Sequence, residues 1–160
     1  MRRLLAGALG LLLAAGVASA AEWNSIRPGD SVQNDVRRQF GAPTKVSSQK
    51  VEGYDTTQWR YEGEQAPRGI VRVTVDFGLL TPTGYRAEVV RSMLLEPKPG
   101  VFTRTMVLGG WGRPDGMDKE NGVDVFKYRT GLFVYFDKAG WIAEKMFFVH
   151  MAAPAAPAKK

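Results

Sequence analysis

Few residues in this chain have types suited to chemistry, and their spacing limits what each can do. His150 is the only histidine, and there is no cysteine. A serine nucleophile needs a nearby base, usually a histidine held by a carboxylate. A lone histidine at the end of the last predicted strand reads instead as an exposed terminal side chain. The missing cysteines exclude disulfides, thiol catalysis, cysteine metal sites and a lipid-bearing cysteine. Asp76 and Asp137 close two similar stretches, Val73-x-Val75-Asp76 and Val134-x-Phe136-Asp137. As a carboxylate pair they would suit a small hydrolase. As matched strand ends they suit two equivalent turns, which is the preferred reading.

The loop "RPDGMDKENGVD" gathers Asp115, Asp118, Glu120 and Asp124. A calcium-binding EF-hand loop wants glycine at its sixth position and glutamate at its twelfth. Counted from Asp118, those places hold Val123 and Arg129, so a solvated acidic loop is expected. "LGGWGRPDG" is glycine-rich but lacks the Gly-Lys-Ser/Thr of a phosphate cradle. No metal and no cofactor is expected.

The aromatic residues carry more information. Val71, Val73, Val75 and Phe77 alternate with Arg72, Thr74 and Asp76, the pattern of a strand with one polar face. At the matched outer positions of the second half stand Phe133 and Tyr135, where Arg72 and Thr74 stand in the first. Either another part of the chain covers these rings, or they form an exposed patch of the kind found at protein interfaces. On the second reading Phe133 and Tyr135 are the expected protein-binding residues.

What must position them is a body bracketed by two distinct ends. "MRRLLAGALGLLLAAGVASA" has two arginines, an apolar run and a small-residue Ala18-Ser19-Ala20 site, the layout of a secretory signal peptide cut after Ala20. The run is short for a membrane span, so no span is expected in the mature chain. "AAPAAPAKK" reads as a disordered tail. The chain has 22 Lys+Arg against 16 Asp+Glu, but Arg2, Arg3, Lys159 and Lys160 lie in the two ends. Residues 21–150 keep 18 against 16, so nucleic acid is not an expected partner.

Within that body the sequence repeats itself. "RPGDSVQNDVRRQFGAP" and "KPGVFTRTMVLGGWGRP" share Pro-Gly and Gly-x-Pro at one offset of 71 residues. Val32, Val36 and Phe40 make one apolar stripe, capped by Asp30 or Ser31 and closed by Gly41 and Pro43. Val107 and Trp111 answer Val36 and Phe40, although Gly109 and Gly110 predict a short or irregular second helix. Three strands are predicted after each helix: "TTQWRYE", "GIVRVTVDF" and "YRAEVVRSML", then "VDVFKYR", "LFVYFD" and "WIAEKMFFV". The expected fold is α+β: two tandem units, each a helix plus a three-stranded antiparallel meander, sharing one sheet with both helices on one face. The expected boundaries are 1–20 signal peptide, 21–97 first unit, 98–150 second unit and 151–160 tail.

Pro-Gly, a short helix ending Gly-x-Pro, the aromatic strands "QWRY" and "VFKY", and the turn in "VYFDKAG" resemble the SmpA/OmlA domain of BamE-type outer-membrane assembly lipoproteins. The doubled plan is also similar to the β-lactamase inhibitor protein. The chain differs from the BamE type in carrying two copies and no lipidation cysteine. The resemblance implies a non-enzymatic protein-binding module of the bacterial envelope, supporting outer-membrane protein assembly or envelope integrity. The alternative it implies is an inhibitor of a secreted or periplasmic enzyme. The expected location is periplasmic or secreted, not as a lipoprotein, with an envelope protein as partner and peripheral outer-membrane association.

Overall fold

The computed structural model describes residues 20–152; the expected signal peptide up to residue 19 and the tail from residue 153 lie outside them. Eight strands form one antiparallel sheet. The elements in chain order are α1 (Gln33–Phe40), β1 (Lys45–Val51), β2 (Tyr54–Glu62), β3 (Ile70–Thr81), β4 (Gly84–Pro97), α2 (Arg104–Trp111), β5 (Gly116–Glu120), β6 (Val123–Tyr128), β7 (Leu132–Phe136) and β8 (Ala143–Val149). The spatial order is β1-β2-β3-β4-β8-β7-β6-β5, so β4 and β8 meet at the centre and β1 and β5 are the two edges.

This corrects the expected architecture. The described residues are mostly sheet, a single eight-stranded one, and not two tandem units of a helix and a three-stranded meander. The two unforeseen strands are the edges. β1, KVSSQKV, and β5, GMDKE, are largely exposed and bury no apolar face. They are held by backbone pairing to β2 and β6 through tight two-residue turns. Glu52-Gly53 and Asn121-Gly122 both take positive φ at each position, which matches the right-handed twist of a hairpin.

The helices are short and their ends are well satisfied. α1 is entered through Val32, whose amide donates to the Asp35 carboxylate at 2.9 Å; neither Asp30 nor Ser31 is the cap residue. Ser31 instead accepts from the Arg27 amide through its hydroxyl. In α2 the Thr103 hydroxyl accepts from the Met106 amide. α2 is short, as expected, at eight residues like α1, and Gly109 and Gly110 do not interrupt it. Gly41 and Gly112 close the two helices at φ 78° and 76°, a region that costs any other residue strain. Tyr61 and Tyr128 donate their hydroxyls to the carbonyls of these same glycines, at 3.1 and 3.0 Å.

Val36 and Val107, one from each helix, are fully buried in a single hydrophobic cluster on one side of the sheet, with Phe40 and Trp111 partly buried against it. Trp59 meets Phe77 edge to face at 4.8 Å, and Phe126 meets Phe136 likewise at 4.8 Å. Arg104 lies over Phe126, 4.5 Å from its centroid, and also donates to the Asp124 carboxylate and the Gly140 carbonyl. Ala21 is buried and donates its amide to the Thr130 carbonyl at 2.9 Å.

Candidate protein-binding face

Strand register decides which side chains share the face turned away from the helices. Across the sheet one row runs Lys45, Arg60, Thr74, Leu94, Phe147, Phe133 and Lys127. Beside it runs a second row, in which Glu62 pairs with Arg72 and Arg72 with Glu96, and Lys145 pairs with Tyr135 and Tyr135 with Val125. Alternation sends Met146 and Phe148 into the core, so Lys145 and Phe147 must point the other way. The same argument places Phe133 and Tyr135 opposite the buried Leu132, Val134 and Phe136.

Phe133 and Tyr135 are therefore on the helix-free face, half-buried, and neither belongs to the core cluster. Leu94 and Phe147 adjoin them as half-buried neighbours that sequence reasoning did not single out. Together the four make an apolar strip over β4, β8 and β7 at the middle of the sheet. Burial, then the neighbouring Glu120 carboxylate, raises the Tyr135 hydroxyl above its ordinary pKa. Phe133 also lines an open groove with Lys127, Gly116 and the first tail residue, Met151.

Register also changes which positions correspond between the two halves of the sheet. Trp59 lies opposite Val75, and Phe126 lies opposite Val134. Val75 thus occupies the place of Val134, and the counterparts of Phe133 and Tyr135 are Thr74 and Asp76. The expected counterparts, Arg72 and Thr74, are two residues out of step.

Asp76 accordingly sits within β3 and not at a turn. Its oxygens accept from the Gln58 and Gln49 amides at 2.8 and 3.2 Å and from the Ser92 hydroxyl at 3.0 Å. Asp137 is a turn residue: one oxygen accepts the amides of Trp141 and Ile142 at 2.8 and 3.1 Å, and these bonds hold its carboxyl below the usual range. β4 and β8 separate the strands that carry the two aspartates, a gap of about 14 Å. They form no carboxylate pair.

The other chemical candidates are occupied structurally. His150 follows β8, exposed, with its ring packed on Gly29 where a Cβ would stand. The acidic loop is β5 and its hairpin. Asp115 engages Arg129, Asp118 and Glu120 engage Lys127, and Asp124 engages Lys119 and Arg104. Among the described residues no group of three or more His, Asp or Glu is placed to hold a metal ion. The glycine-rich stretch is α2 and its closing Gly112.

No family model matches the chain, and no curated protein matches it. It is similar to the crystal structure of a DUF4309 family protein, YjgB, from Bacillus subtilis subsp. subtilis str. 168, with 11% sequence identity over 79% of this chain and 83% of that chain and a TM-score of 0.43. The resemblance to SmpA/OmlA domains, and with it the likeness in plan to the β-lactamase inhibitor protein, is corrected. One eight-stranded sheet stands among the described residues where two helix-plus-three-strand units were expected.

Proposed function

We propose that this chain is an exported, non-enzymatic protein-binding module whose helix-free sheet face docks a protein of the cell envelope. The observation that carries the reading is the apolar strip of Leu94, Phe147, Phe133 and Tyr135, which lies on the solvent face and outside the core. A sheet with one solvated face ordinarily keeps that face polar. The fold does not require aromatics here, since Thr74 and Asp76 fill the corresponding places on β3. Interfaces, in contrast, are enriched in such rings. Export is supported by the signal-peptide layout.

The test is the double variant Phe133→Thr, Tyr135→Thr. Interface aromatics carry about 2 kcal/mol or more when truncated, roughly thirtyfold in Kd. Capture of the envelope partner should fall by that order, while unfolding stability changes by less than about 1.5 kcal/mol, as for exposed cross-strand pairs. A marked loss of stability would place the rings in a core and remove the basis for the proposal. Release of the chain by osmotic shock, with a mature N-terminus at Ala21, tests the export half.

A further inference from the structure

We infer that the partner presents carboxylates around an apolar or aromatic anchor. The inference rests on reading the helix-free face as a binding surface and adds the chemistry of what binds there. Five carboxylates on that face are already engaged. Glu62 and Glu96 share Arg72, at 3.0 and 3.3 Å. Asp118 and Glu120 share Lys127, at 3.1 and 2.8 Å. Asp76 is held by Gln49, Gln58 and Ser92.

Three cations on the same face are left over. Among the described residues Lys45, Arg60 and Lys145 have no carboxylate within 4.0 Å, the distance that Arg91 just reaches to Asp76. Lys45 and Arg60 are cross-strand neighbours at one end of the apolar row. The Arg60 Nε is buried without an acceptor. Lys145 stands beside Phe147 and across from Tyr135. From Arg60 on β2 to Phe133 on β7 is four strand spacings, about 19 Å.

A purely apolar partner laid on this strip would strip water from three unpaired cations and give nothing back, which is costly. Discrete carboxylates on a protein surface can meet Lys45, Arg60 and Lys145 one by one. A membrane of anionic lipid or a nucleic acid offers a continuous array of phosphates, and Glu62, Glu96, Asp118 and Glu120 would face that array as like charges. A protein surface with spaced carboxylates is the match.

The experiment pans a random short-peptide display library on the full mature protein. Binding of the enriched peptides is then measured to three variants: Lys45→Gln with Lys145→Gln, the triple Lys45→Glu, Arg60→Glu, Lys145→Glu, and Phe133→Thr with Tyr135→Thr. The Gln pair leaves Arg60 in place, so a folding failure of the triple does not blur the result. Expected are peptides with Phe, Trp or Leu flanked by Asp or Glu, losing roughly tenfold or more in affinity to the charge variants and to the aromatic variant. Enriched peptides without acids, sensitive only to the aromatic variant, overturn this inference and leave the binding face standing. No enrichment, or binding indifferent to all variants, overturns both. Phosphatidylglycerol vesicles or duplex DNA that bind and are released by the charge variants, while the peptides are not, would overturn it in favour of a phosphate surface.

Discussion

Replacing Tyr61 by phenylalanine separates one hydrogen bond from everything else the residue does. The ring is fully buried, edge to face with Phe40 at 5.6 Å, and phenylalanine keeps that packing. What goes is the hydroxyl's bond to the Gly41 carbonyl at 3.1 Å. Gly41 is exposed, so its carbonyl can turn to water, and the cost is that of one neutral hydrogen bond, about 1 kcal/mol. For a body of this size that is a fall in Tm of about 3–6 °C. Burial pushes the Tyr61 hydroxyl up to about 12, with the nearby Arg37 opposing. The folded value thus lies above the unfolded one, about 10, and the fold holds the neutral hydroxyl more tightly than the unfolded chain does. Its contribution is intact below about pH 10 and is lost as pH rises towards the folded value of about 12. Urea unfolding at neutral pH should therefore show the variant less stable, and the gap should close across that alkaline window. Lysines and the other tyrosines titrate alike in both proteins and cancel. If the variant loses stability as steeply as wild type between those values, the burial argument is refuted.

Two further substitutions test other features. Asp137→Ala removes the acceptor of two turn amides and should lower Tm. Because its folded pKa is depressed, its contribution is present above the unfolded carboxylate value and lost as pH falls through the folded one, so the variant's acid limb should be flatter than wild type's. An unchanged acid limb would count against the turn role. Gly29→Ala adds a Cβ at φ 95° where the His150 ring already stands. It should cost more than about 1 kcal/mol. His150→Ala in the same chain should recover the clash but not the backbone strain, and full recovery would mean that φ does not matter there.

The parts of the fold that show in the sequence are those with an apolar period. Val73, Val75 and Phe77 alternate with polar residues, and the helices are bracketed by Gly41-x-Pro43 and Gly112-x-Pro114, so both kinds of element are visible. β1 and β5 have no apolar face to alternate, because an edge strand is held through its backbone on one side only. Their signal lay in the turns: Asn121-Gly122 is a hairpin dipeptide, hidden behind the acidic residues around it. Aligning the halves on Asp76 and Asp137 placed the strands two residues out of register, since both end a similar run although one lies mid-strand and the other in a turn. Phe133 and Tyr135 were readable from alternation alone. Leu94 and Phe147 were not, because their meeting depends on how β4 pairs with β8. The run Met146-Phe147-Phe148-Val149 was the available sign: a strand with a solvated face should not be apolar at every position.

The central claim, that the helix-free face is where this protein binds, is tested most directly by site-specific photo-crosslinking in the producing cell. A benzophenone amino acid is placed at Tyr135 on that face and, in a separate chain, at Gln39 on the exposed side of α1. A discrete protein adduct is expected from position 135, lost when Lys45 and Lys145 are changed to glutamine, and none from position 39. Adducts from position 39 alone, or from neither position, would contradict it.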